Sequence, residues 1–132
     1  MRAELTIEIA RIPEDVFAYL TDVSNLPSWQ AGVKSATLRE GRVEESRSLL
    51  GRELRTTLEI VEEEAPRLFT LRALNSPVPF TVRHELEPAG DATRLTVTAE
   101  GDVPGFAAGL LARQAERQFR KDFERLKRIL ES

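Results

Sequence analysis

Few side chains in this sequence are equipped for chemistry. Its 132 residues include one histidine, His84, and no cysteine. A lone imidazole can act as a general acid or base, or anchor a polar group of a ligand. It cannot build a histidine-based metal site by itself. Without thiols there are no disulfides, thiolate zinc sites or cysteine nucleophiles. His84 shares strand parity with Phe80, Val82 and Leu86, so it should point inward. Its plainer reading is a hydrogen-bonded structural histidine near a rim. Trp29 and Tyr19 could stack on a ring or close a pocket, but a packing role is the simpler one. Arg47, Arg55, Arg72 and Arg83 are spread through strand-like segments. An inward arginine would have to meet a ligand carboxylate or a buried acid such as Glu45 or Glu59; most should be solvent-facing cross-strand partners. Glu62-Glu63-Glu64 reads as a solvated turn, because adjacent carboxylates on a strand face opposite ways and suit a metal poorly. No G-x-S-x-G, P-loop, G-x-G-x-x-G or C-x-x-C pattern occurs.

The elements that must position these residues follow from periodicity. Leu5, Ile7 and Ile9 alternate with Glu4, Thr6 and Glu8, a half-buried strand. Pro13 with Glu14 and Asp15 marks a helix start, and Val16, Phe17 and Leu20 give that helix an apolar stripe. Asn25 to Trp29 begins a second short helix, ended by Gly32. From Val33 to Gly101 the period is two. Breaks at Glu40-Gly41, Gly51-Arg52, Ala65-Pro66-Arg67, Asn75-Ser76-Pro77 and Pro88 to Asp91 separate six further strands. Short connections make the sheet antiparallel. In Leu68 to Leu74 both phases contain apolar residues, so parity leaves open whether Leu71 or Arg72 faces in. A long helix follows from about Pro104 to Glu131, with Asp102 as its N-cap. Its apolar stripe is Ala115, Phe119, Phe123, Leu126 and Leu130. The order is strand, two short helices, six strands, long helix: an α+β chain of about seven antiparallel strands whose helices cover one face.

Composition narrows the function further. Hydrophobic residues are 41% and charged residues 31%, which suits one globular domain over 1–132 that needs no staple. The net charge of -3 argues against a nucleic-acid partner. Residues 105–132 hold seven basic and four acidic side chains, a solvated helix face rather than a lipid-binding one. No apolar run approaches the ~20 residues of a spanning helix, and the N-terminus has no signal-peptide core. A cytoplasmic protein, with no stable membrane insertion, is expected.

Several segments together resemble a known superfamily. They are Ile7-Glu8-Ile9-Ala10-Arg11-Ile12-Pro13-Glu14-Asp15-Val16-Phe17-Ala18-Tyr19-Leu20-Thr21-Asp22, Asn25-Leu26-Pro27-Ser28-Trp29, Gly51-Arg52-Glu53, Glu64-Ala65-Pro66-Arg67 and Thr93-Arg94-Leu95-Thr96-Val97. The likeness is to the START-like (SRPBCC) superfamily of polyketide cyclases/dehydrases and lipid-transport proteins, and it spans essentially the whole chain. It implies the helix-grip fold, a curved sheet wrapped around the long C-terminal helix, with a pocket between them for a hydrophobic ligand. Relatives that bind iron use two histidines, which this chain lacks.

The residues support a pocket on their own account. Gly105, Ala107, Ala108, Gly109 and Ala112 crowd the first half of the long helix, and Phe119, Phe123, Leu126, Ile129 and Leu130 the second. Small side chains cannot fill the concavity of a curved sheet, so free volume is expected under the first half. The expected lining is Phe17, Trp29, Leu58, Phe69, Phe80, Val82, His84, Phe106, Gly109 and Leu110. Asp102 to Gly109 and Asn75 to Pro79 would form a mobile rim, with Phe106 as a removable plug. The leading expectation is a carrier for a small hydrophobic molecule, a monomer or weak homodimer with no cofactor and no metal. The alternatives are a cyclase/dehydratase-like enzyme in which His84 or a pocket carboxylate moves a proton on a polyketide-like substrate, and a chaperone-activator-like interaction module.

Overall fold

The computed structural model of the chain describes residues 2–49, 51–74, 79–101 and 108–132, except for the side chains of residues 49, 108 and 110–112. Seven strands are present: β1 (Arg2–Ile9), β2 (Val33–Arg39), β3 (Arg42–Leu49), β4 (Arg52–Glu64), β5 (Leu68–Ala73), β6 (Phe80–Ala89) and β7 (Ala92–Gly101). They form one antiparallel sheet in the order β1-β7-β6-β5-β4-β3-β2. Consecutive strands from β2 to β7 are neighbours, as hairpin-length connections demand. At Glu40-Gly41 both residues have positive φ, 53° and 76°. That is the left-handed pair a two-residue hairpin needs, and glycine adopts it without strain.

The first and second strands occupy opposite edges of the sheet, so the chain between them must travel its full width. Two helices make that crossing: α1 (Pro13–Thr21) and α2 (Leu26–Trp29), joined through a 3₁₀ turn at Val23–Asn25. Pro13 stands at the first helical position of α1, where its missing N–H leaves no intrahelical bond unmade. α2 stops at Trp29 and passes through an extended Gln30, three residues short of the Gly32 stop expected from composition. The third helix, α3 (Ala108–Glu131), is amphipathic and runs against β1 and α2. The expected helix start at Asp102 and Pro104 lies outside the described residues.

One core lies between the concave face of the sheet and the helices. Ile9, Val43, Leu58, Phe69, Leu86, Leu95 and Val97 of the sheet meet Val16, Phe17, Leu20, Trp29, Phe123, Leu126 and Leu130 of the helices. In β5, Phe69, Leu71 and Ala73 join this core, while Arg72 alternates outward to pair with Glu59 at 2.6 Å. That settles the phase that parity left open. Glu62-Glu63-Glu64 is not a turn. It is the end of β4, carried past a register shift between Ile60 and Glu62. Glu62 accepts a hydrogen bond from Thr70 at 2.7 Å and lies 3.5 Å from Arg83, which holds the run in the sheet.

α3 covers the sheet unequally. Phe123, Leu126 and Leu130 are buried and Phe119 is half-buried, yet all six residues from Arg113 to Gln118 are exposed. Ala115, expected in the apolar stripe, is among them. A helix lying on a sheet buries a residue every three or four positions. α3 therefore lies on the sheet from Phe119 onward and stands clear of it over 113–118.

Candidate functional site

Three apolar side chains on the inward face of the sheet are only half covered. Phe80 and Val82 on β6 and Leu54 on β4 share the inward parity of buried neighbours, yet each is half-buried. Of the expected lining, Phe17, Trp29, Leu58, Phe69 and His84 are buried in the core, with Phe80 and Val82 packed against it. These seven all lie on the concave side. Gly109 is exposed, and a Cβ there would meet no atom within 4 Å. Phe106 lies outside the described residues, as does the side chain of Leu110. The expected rim at residues 75–78 and 102–107 does too.

His84 sits deeper than a rim residue. It is 3% exposed, with ring centroids 5.8 Å from Phe69 and 5.9 Å from Phe123. Its Nδ1 donates to the Phe69 backbone carbonyl at 2.8 Å, which fixes the neutral tautomer. Burial drives its pKa down to about 4, against the smaller upward pull of that hydrogen bond. His84 is thus neutral at physiological pH and ties β6 to β5. Trp29 packs on Phe123 at 4.9 Å and joins α2 to α3. Phe17 meets Phe69 edge-on at 6.3 Å.

The polar group that parity could have revealed is on β3. Val43, Glu45 and Arg47 share one face, and Val43 is fully buried in the core. Glu45 and Arg47 therefore point inward too. The Glu45 side chain is 0% exposed, and its Oε1 accepts from Arg47 Nε at 2.6 Å. Arg47 also donates from Nη2 to Gln30 Oε1 at 2.9 Å, and its guanidinium lies 5.6 Å from the centroid of the Phe80 ring. β3 and β6 are three strand spacings apart, ~14 Å in a flat sheet. Arg47 bridges them because the sheet curls. On the α3 side, Asp122 accepts from the Ala31 amide at 3.2 Å and from Gln118 at 2.7 Å. Burial pushes the Asp122 carboxyl up, opposed by those two bonds and by the charges of Arg125 and Arg47. Two buried side-chain polar atoms have no hydrogen-bond partner among the described residues: Trp29 Nε1 and Glu45 Oε2.

At the other end of β6, a cleft of about 540 Å³ lies between the start of α1 and the turn before β5. It is lined by Ile12, Pro13, Pro66, Leu86 and Pro88 with the charged Glu14, Arg67, Glu85 and Glu87, and shares no residue with the expected lining. Four charged side chains make it a poor place for an apolar ligand. No group of three or more His, Cys, Asp or Glu side chains among the described residues is arranged to hold a metal.

The model of the family described as polyketide cyclase / dehydrase and lipid transport matches residues 1–131. The chain belongs to this family. A conserved protein from Geobacillus kaustophilus superposes with a TM-score of 0.85 at 20% identity, covering 98% of this chain and 95% of that one. A START superfamily protein from Mycobacterium smegmatis gives 0.80 at 17% identity, with 98% of both chains covered. The Zhui aromatase/cyclase of a Streptomyces species gives 0.80 at 16% identity, over 99% of this chain and 93% of that one. At these identities the likeness is one of fold. No curated protein matches the sequence significantly. No helix among the described residues is long and apolar enough to cross a membrane.

Proposed function

We propose that this chain binds and carries a small hydrophobic molecule, lipid, polyketide or aromatic in kind, between the sheet and the first half of α3. The observation that carries this reading is the loss of contact along α3. Residues 113–118 are all exposed, while Phe80, Val82 and Leu54 on the inward face of the sheet are only half covered. Half-covered apolar walls on a concave face gain by burying an apolar guest, at ~25 cal/mol per Å² removed from water. The family's description, which couples cyclization with lipid transport, supports the same class of guest. His84, neutral and bonded to a backbone carbonyl between Phe69 and Phe123, serves packing in this reading rather than proton transfer.

The reading treats residues 1–132 as one domain acting in the cytoplasm as a monomer or weak homodimer. It assigns no cofactor, metal or nucleic acid. Native mass spectrometry of the purified protein tests it, together with titration of a hydrophobic fluorescent probe. A co-purified lipid or saturable probe binding at one site is expected. A ligand-free mass with no saturable binding of probe, fatty acid or aromatic would overturn it.

A further inference from the structure

Glu45 Oε2 is the one charged group among the two buried side-chain atoms left without a partner in the described residues. Its carboxylate is fully enclosed, yet only Oε1 is engaged, by Arg47. Native interiors leave few such atoms without a partner, because an unmade bond to a buried charged group is expensive. Glu45 and Arg47 share the inward face of β3 with Val43, and the Arg47 guanidinium lies 5.6 Å from the centroid of the half-buried Phe80 ring. An apolar guest filling the space beyond would end against this pair.

We propose that the Glu45–Arg47 pair is the head-group subsite of the cavity, and that it takes a neutral hydrogen-bond donor, an alcohol or phenol hydroxyl, in preference to a carboxylate. The assignment rests on the cavity reading above. Its logic is one of charge. An ionised carboxylate only accepts hydrogen bonds, so Glu45 Oε2 fits an O–H. Arg47 is already committed: Nε to Glu45, Nη2 to Gln30 and its face to Phe80. A ligand carboxylate would have to share that one guanidinium with Glu45. It would also compete with Asp122, whose carboxyl already draws on the Arg47 charge. Like charges brought together in a poorly solvated site repel strongly. A hydroxyl meets the open oxygen and adds no charge. Trp29 Nε1, a donor, is the other unpartnered side-chain atom within the same core.

The test uses a matched pair, 2-naphthol and 2-naphthoate, at neutral pH, with dissociation constants from calorimetry. Wild-type protein is expected to bind 2-naphthol at least about tenfold tighter. Glu45→Gln keeps the size of the side chain and an oxygen for Arg47 but removes the negative charge. It is expected to cut that preference by about tenfold, mainly through tighter naphthoate binding. Asp122→Asn, at a half-buried helix position, is expected to move the ratio the same way by a few-fold, and it stands in if Glu45→Gln does not fold. Equal binding of the two compounds, or tighter naphthoate, overturns the head-group assignment while leaving the cavity in place. A naphthol preference that neither substitution changes overturns the assignment to this pair. Failure of both compounds to bind, with the hydrophobic probe still binding, overturns the head-group assignment; failure of the probe and of fatty acid as well removes the cavity reading.

Discussion

His84 offers the sharpest test of the packing described above, because its burial has a thermodynamic signature. In an unfolded chain its imidazole titrates near the model value of 6.5; in the fold, burial lowers this to about 4. Between those values the unfolded state takes up a proton that the folded state refuses. The stabilisation is therefore complete above the unfolded value and is lost as pH falls from 6.5 toward 4. A separation of this size amounts to roughly 3 kcal/mol, of which about 2.5 kcal/mol is lost between about pH 7.5 and about pH 4.5. That is a large share of the ~5–15 kcal/mol stability of an ordinary domain. Glu131 and Glu53 also contribute, their carboxyls held low by hydrogen bonds, with Lys127 first for one and Ser46 for the other. Their stabilisation falls away with acid as well, and Asp122, pushed up by burial, acts in the opposite sense. A His84→Gln variant removes only the imidazole, so the carboxylate effects cancel in the comparison. Urea unfolding of both proteins, without an affinity tag, should show their stability difference moving by about 2.5 kcal/mol between the two pH values. The chain has one histidine, so its proton resonances report the same group directly. A histidine midpoint near 6.5, with parallel stability curves for the two proteins, would refute the burial argument.

Phe123→Ala should destabilise by roughly 3–5 kcal/mol in denaturant unfolding, since it removes the ring between Trp29, His84 and Phe119. A loss under about 1 kcal/mol would mean that α3 is not seated as described. Gly109→Ala should stabilise by roughly 0.5–1 kcal/mol, because the site is helical and exposed and a Cβ there meets nothing within 4 Å. Thermal melts check it; destabilisation would show that the glycine is needed for close approach. EDTA and reductant should leave the melting curve unchanged, as a chain without cysteine and with one histidine predicts.

The sequence by itself determined the number and order of the elements. Strict alternation in β1 and β7, Pro13 at the head of α1 and glycine at the hairpin turns are local signals, and local backbone preferences suffice to read them. Parity also placed Phe80, Val82 and His84 on the concave side, because a strand's faces alternate whatever surrounds it. What parity cannot supply is which face is covered, and by how much. Both phases of β5 are apolar, and only the packing of Phe69 against Phe17 and His84 chose between them. Ala115 continues the stripe of Phe119 and Phe123 in sequence but is exposed, because the angle between α3 and the sheet depends on distant side chains. The burial of the Glu45–Arg47 pair, though not the face it shares with Val43, was concealed for the same reason. Charged residues on a strand read as solvated until curvature brings Phe80, three strands away, within reach of Arg47. Sheet curvature is a sum over all seven strands, so no single segment encodes it.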